Sequence, residues 1–246
     1  IKGQRPSDET GTYRYKFDAP KSWAGQRVKI FFDGVMTDAE IMINGKPAGE
    51  MHQGGFYRFN YDITELLNLG KKNQLEVKVA KESANRSINA AERKADWWLF
   101  GGIYRPVWLE VLPQVHMEHF VLNADHHGKL QTAVDMAGDA KGHEIIVSVR
   151  SLKDGKTVYT SNGQTTITHP INNSDKEQMI SGEWASIIPW STENPNLYVA
   201  KLELKNPEGK IVQTRETRIG FRTVEFFPQD GVYLNGTKLV VKGINR

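Results

Sequence analysis

The sequence predicts an all-β protein of two successive antiparallel sandwiches, and three observations carry that prediction. Apolar and polar residues alternate along most of the chain. Turn signals separate many short runs of this pattern. The length of 246 residues is enough for two domains, each with its own core.

Taken in order, Tyr13, Tyr15 and Phe17 alternate with Arg14 and Lys16, and Val28, Ile30 and Phe32 alternate with Lys29 and Phe31. Each run reads as a strand with one inward face. Residues 40–43 run into Asn44-Gly45, a strong hairpin signal, because both residues tolerate the left-handed backbone of a type I′ turn. Residues 56–61, 75–79 and 107–111 continue the series. One short helix is predicted among them. Asp62 would cap it, Glu65 stands at the third helical position of a capping box, Leu66, Leu67 and Leu69 supply an apolar face, and Gly70 stops it.

The pattern restarts after Leu112-Pro113-Gln114. Strands are predicted over 115–122, 130–136, 144–152, 157–160, 165–168, 178–180, 197–204 and 211–219, with turns such as Ser161-Asn162-Gly163 and Asn206-Pro207-Glu208-Gly209 between them. About seven strands in about 105 residues matches an immunoglobulin-like sandwich, here without its disulfide. A third segment holds a hairpin at Asn235-Gly236 and an apolar strand, and is too short to be a domain. The expected organisation is therefore 1–113, 114–219 and 220–246.

Composition excludes several classes of function. Apolar residues make up 39% and charged residues 25%, which is globular usage. A net charge of +3 is too small and too dispersed to predict nucleic-acid or membrane binding. The absence of cysteine removes disulfides, thiolate metal sites and a cysteine nucleophile. It leaves the compartment open, with a periplasmic or secreted location favoured over the cytoplasm. No Gly-x-Ser-x-Gly elbow, phosphate loop or dinucleotide fingerprint occurs. The histidines lack metal-ligand spacing: His116 and His119 fall on opposite strand faces, and His126-His127 reads as a solvated turn. The chain starts at Ile1 and stops after the apolar run at 238–243, so a piece of a longer protein is expected.

One stretch is denser. Asp96-Trp97-Trp98-Leu99-Phe100-Gly101-Gly102-Ile103-Tyr104-Arg105-Pro106-Val107-Trp108 carries three of the six tryptophans. Aromatic faces stack on the C–H faces of sugars, and carboxylates accept hydrogen bonds from sugar hydroxyls. Core packing is the favoured reading for most of these rings. Asp96 is different, because an acid beside buried rings needs a partner, such as a ligand hydroxyl or a cation.

The residues from Gly102 to Leu109 resemble the signature that closes the sugar-binding jelly roll of family 2 glycoside hydrolases, a family that includes β-galactosidases, β-glucuronidases and β-mannosidases. Gly11-Thr12-Tyr13-Arg14-Tyr15-Lys16-Phe17, the hairpin at 39–49 and Gly54-Gly55-Phe56 with Phe59, Asp62 and Ile63 resemble further motifs of that family. So do Trp190, Glu193-Asn194-Pro195, Leu197-Tyr198, Gly220-Phe221-Arg222, Leu234-Asn235-Gly236 and Lys242-Gly243-Ile244-Asn245-Arg246. They stand in the family's order.

The resemblance implies a jelly roll, an immunoglobulin-like sandwich and the start of a truncated (β/α)8 barrel. It implies that Asp96 contacts the sugar and a sodium ion, and that sodium or magnesium serves the whole enzyme. It places Asp8 where the family has a sugar-binding Asn, a departure that weakens this contact. Asn245 and Arg246 match the opening of the barrel's Asn-Arg-His-Glu motif. Both catalytic carboxyls of such an enzyme stand on later barrel strands, so the expected role is non-catalytic within a retaining, exo-acting β-galactosidase. A β-glucuronidase or β-mannosidase parent, a standalone carbohydrate-binding module and a purely structural pair of sandwiches are the alternatives. The expected partner is a carbohydrate, with no nucleic acid or membrane, and any homo-oligomer forms through the whole enzyme.

Overall fold

A computed structural model describes residues 9–94, 100–240 and 242–243. The chain divides into two compact units, Ile1–Gln114 and Val115–Arg246.

The first unit contains β1 (Thr10–Ala19), β2 (Arg27–Phe32), β3 (Val35–Met36), β4 (Asp38–Ile43), β5 (Lys46–Pro47), β6 (Phe59–Asp62), β7 (Lys71–Ala80), β8 (Gly102–Ile103) and β9 (Val107–Leu112). They form an antiparallel sheet in the order β1-β7-β4-β5, a second in the order β6-β2-β9, and the pair β3-β8. Alternation supplies the core. Val28, Ile30 and Phe32 of β2 meet Ile41 and Ile43 of β4 and Leu75, Val77 and Val79 of β7, all buried in one cluster. The Asn44-Gly45 hairpin is present, with both residues at positive φ (53° and 77°).

β1 departs from the expected pattern. Tyr13 and Tyr15 stand opposite the inward-facing Val77 and Leu75, yet are 43% and 67% exposed. β1 is the sheet's edge, while the opposing sheet has only three strands. The strand predicted over 56–61 starts at Phe59.

The helix predicted from Asp62 is instead a single 3₁₀ turn, Thr64–Leu66. Ile63, not Asp62, holds the N-cap position, and no side chain caps the turn. Asp62 instead braces the approach, its Oδ1 accepting from the Thr64 amide at 3.0 Å and the Thr64 hydroxyl at 2.5 Å. The turn cannot grow because the buried Asn73 side chain captures Asn68, accepting its N–H at 2.7 Å and donating to its carbonyl at 3.1 Å. Gly70 then donates to Ala19, and β7 begins.

A helix that the sequence reading missed, α1 (Arg86–Arg93), follows β7. Asn85 caps it by accepting from the Ser87 N–H at 2.9 Å. No residue of α1 is buried, which explains the missing apolar stripe.

The second unit contains β10 (His116–Ala124), β11 (Lys129–Ala137), β12 (Glu144–Ser151), β13 (Thr157–Val158), β14 (Thr166–Pro170), β15 (Glu177–Glu183), β16 (Tyr198–Lys205) and β17 (Ile211–Ile219). One sheet runs β10-β11-β15; the other runs β13-β12-β16-β17, with β14 beside the far end of β12. Val134, Ile145, Val147, Leu202, Leu204, Trp184 and Phe221 lie in the shared core. A bulge between Met117 and His119 lets both His116 and Met117 point inward, while His119 stays exposed. After it, β18 (Val224–Phe227), β19 (Gly231–Leu234) and β20 (Thr237–Leu239) form a separate antiparallel meander.

Candidate functional site

The four residues that the sequence singles out, Asp8, Asp96, Asn245 and Arg246, lie outside the described residues, as do Trp97 and Trp98. The segments that flank residues 95–99 are described, and they form a polar frame within the first unit.

Polar side-chain ties accompany α1 on both sides. Asn89 accepts from the Ser83 N–H at 2.9 Å and donates to the Ser83 carbonyl at 2.6 Å. Arg93 Nη1 donates to the Lys81 carbonyl at 2.7 Å. Glu92 accepts the Gly55 N–H through both carboxylate oxygens, at 2.9 and 3.1 Å. Such bonds to a charged acceptor are stronger than neutral ones. The hydroxyl of Tyr104 donates to the Gly55 carbonyl, so Gly55 links the segments before and after residues 95–99.

Asp38, at the start of β4, holds the loop that leads into α1. Its Oδ2 accepts from the Ala84 N–H at 2.8 Å and from Gln53 Nε2 at 3.0 Å. On the C-terminal flank, Phe100 stacks on Tyr104 with centroids 5.1 Å apart, and the Arg105 guanidinium lies 5.2 Å from the Tyr104 ring.

Asp33 is the hub of the adjoining loop. Its Oδ1 accepts from Arg58 Nε at 2.6 Å and from the Trp108 indole at 3.2 Å. The Trp108 hydrogen bond, with Arg58 and Arg105 nearby, holds this carboxyl below the usual carboxylate range against the opposing effect of desolvation. Trp108 also stacks on Phe31 at 4.2 Å. Asp33 is thus an ionised carboxylate that braces the loop through Oδ1, not a proton donor.

His52 closes the frame. It stacks on Phe59 at 3.5 Å, and its Nε2 lies 2.9 Å from the Gly54 carbonyl. Burial pushes its imidazole below the ordinary value, while the Gly54 carbonyl, Glu92 and Asp38 pull the other way.

No three His, Asp or Glu side chains gather to hold a metal ion among the described residues. Among those residues, no helix is long and apolar enough to cross a membrane. The sequence reading missed Asp38, Glu92 and Asn89. Their roles depend on contacts 46, 37 and 6 positions away, and only Asn89, one helical turn after a capping Asn, leaves a local trace.

Comparison with known proteins follows the same division. Residues 2–113 match the family described as "Glycosyl hydrolases family 2, sugar binding domain", and residues 115–222 match "Glycosyl hydrolases family 2". The chain is 29% identical over 238 residues to a β-galactosidase of Thermoanaerobacter pseudethanolicus, covering 95% of this chain and 31% of that protein. It is 30% identical over 228 residues to a putative β-glucuronidase of Formosa agariphila, covering 89% of this chain and 26% of that one. Among solved structures, a Bacteroides uniformis β-glucuronidase superposes with a TM-score of 0.77 at 25% identity, over 97% of this chain and 29% of that one. A β-glycosidase from Bacteroides vulgatus gives 0.73 at 27% identity, over 96% and 29%. The chain therefore spans less than a third of the length of these relatives.

Proposed function

The chain belongs to glycosyl hydrolases family 2, and from that premise we propose that its sandwiches are the non-catalytic part of a retaining, exo-acting β-galactosidase. The observation that carries this reading is the tandem match of the sugar-binding domain over 2–113 and its companion over 115–222, alongside β-galactosidases similar over 95% or more of the chain.

On this reading, residues 1–113 form the jelly roll, 114–219 an immunoglobulin-like spacer, and 220–246 the opening segment of the catalytic barrel. Retaining hydrolysis needs a nucleophile and an acid/base carboxyl about 5–5.5 Å apart, and the barrel of the whole enzyme supplies both. This chain's share is positioning. Asp96, on the family resemblance, contacts the sugar. An acceptor-only carboxylate at that place takes hydrogen bonds from hydroxyls and attracts a cation such as sodium. Asp8, Asn245 and Arg246 are further candidates for contact with the sugar, on the family resemblance alone.

A β-glucuronidase parent is the second reading, favoured by the putative β-glucuronidases at 30% identity. The test is hydrolysis of nitrophenyl β-D-galactoside by the whole enzyme, followed by proton NMR of the first-formed sugar. Release of the β-anomer supports the proposal. Release of the α-anomer, or no turnover, contradicts it.

A further inference from the structure

The sequence holds three Asn-Gly pairs, at 44–45, 162–163 and 235–236. An asparagine before glycine is where a chain most readily attacks itself, because glycine has no side chain to shield its backbone nitrogen. The structure treats the three pairs differently.

Two of the asparagine side chains are tertiary anchors. Asn44 Nδ2 donates to the Leu66 carbonyl and to Asn73 Oδ1 at 2.8 Å each, and its Oδ1 accepts from the Gln74 N–H at 2.9 Å. Asn235 Oδ1 accepts from the Thr223 N–H at 3.0 Å, and its Nδ2 donates to the Trp190 carbonyl at 2.9 Å. Both residues also hold a left-handed backbone, with φ at 53° and 51°. Their turns join β4 to β5 and β19 to β20, so neither backbone can swing without disturbing a strand pair.

Asn162 lacks these restraints. It stands in the turn between β13 and β14, where residues 161–165 are all exposed, and it does not take a positive φ. Its Nδ2 reaches Gln164 Oε1 only at 3.5 Å, the outer limit of a hydrogen bond. Its Oδ1 accepts from the Thr160 hydroxyl at 2.5 Å, which draws electrons from the side-chain carbonyl carbon and favours attack there. The nucleophile is held by one local bond, from the Gly163 N–H to the Thr160 carbonyl at 2.9 Å, which water can replace in an exposed turn.

We propose that Asn162 is a site of spontaneous deamidation in the folded protein, and that the fold protects Asn44 and Asn235. The Gly163 backbone nitrogen attacks the side-chain carbonyl carbon of Asn162. A C–N bond forms, the bond from that carbon to Nδ2 breaks, and ammonia leaves with the proton of the Gly163 N–H. Water then opens the cyclic imide at either carbonyl, giving aspartate or isoaspartate. Nothing is oxidised or reduced. The product adds one negative charge to the second unit. In its isoaspartate form the backbone is one carbon longer, so the bonds that Gly163 and Gln164 make to Thr160 no longer fit. The inference stands on the three amides and does not depend on the β-galactosidase reading.

The test is incubation of the whole protein at mildly alkaline pH, in buffer and in urea that unfolds it, followed by peptide mass mapping across all three pairs. In buffer, residue 162 should convert from amide to acid about tenfold faster than residues 44 and 235, or more, the scale of the hydrogen bonds that a locked amide must first lose. In urea the three rates should draw together, since the fold alone sets them apart. Equal rates in buffer, faster conversion at 44 or 235, or an intact Asn162 in buffer would overturn the proposal. So would a spread in urea as wide as that in buffer, because local sequence would then set the order.

Discussion

The Glu92 carboxylate grips the backbone N–H of Gly55 with both oxygens, at 2.9 and 3.1 Å, and this joins α1 to the loop before β6. Because α1 buries no residue, its place depends on this contact, the Asn89–Ser83 pair, the Arg93–Lys81 bond and the Asn85 cap. Removing one tie should free the helix without unfolding the sandwich. Glu92→Ala is predicted to cost about 1–3 kcal/mol locally. Faster hydrogen exchange over residues 81–94, with the amides of β2, β4 and β7 unchanged, is the expected result. Unchanged exchange across α1 would show that other contacts hold it.

Asp96→Ala in the whole enzyme should raise KM for β-galactosides, since the family resemblance implies that this carboxylate contacts the sugar. Losing a hydrogen bond to a charged acceptor corresponds to roughly 10–100-fold. Steady-state kinetics decides it. Unchanged KM and kcat would remove Asp96 from the site.

Asn44→Ala should destabilise the first unit. Asn44 holds φ at 53°, donates to the Leu66 carbonyl and Asn73 Oδ1 at 2.8 Å each, and accepts from the Gln74 N–H at 2.9 Å. Alanine keeps none of these bonds and tolerates the left-handed backbone poorly, so a loss of about 2–3 kcal/mol is expected in urea denaturation. A loss below about 0.5 kcal/mol, the scale of an ordinary surface change, would contradict the structure at this turn.

His52 makes stability depend on pH. Its folded-state value lies below the ordinary value of about 6.5, so near and just below that value the unfolded chain binds more protons than the folded one. Stability from this residue is present above that value and is lost as pH falls through the window beneath it. His52→Phe, which preserves the stack on Phe59, should flatten the slope of stability between about pH 5 and 7. An unchanged slope would show that His52 is not the group responsible.

Much of the fold is legible in the sequence because period-2 burial is local. Val28, Ile30 and Phe32 point inward as their alternation requires, and Asn44-Gly45 turns as its conformational freedom allows. Two features are not legible. Leu66, Leu67 and Leu69 look like a helix face, but Asn73 captures the backbone groups that a longer helix needs. Arg86–Arg93 shows no apolar stripe, because polar contacts from distant segments hold the helix. The site is less legible still. Asp96 stands out by its aromatic neighbours, whereas Asp38 and Glu92 have roles that appear only when β4, the loop at Gly55 and α1 come together.

The central claim is that the whole enzyme is a β-galactosidase built on these sandwiches. The most direct measurement is kcat/KM of the whole enzyme across nitrophenyl β-D-galactoside, β-D-glucuronide and β-D-mannoside. The account predicts the galactoside as the best substrate by about four orders of magnitude, the discrimination expected when a site built for one sugar leaves polar groups unpaired with another. A glucuronide or mannoside turned over more efficiently than the galactoside would contradict it.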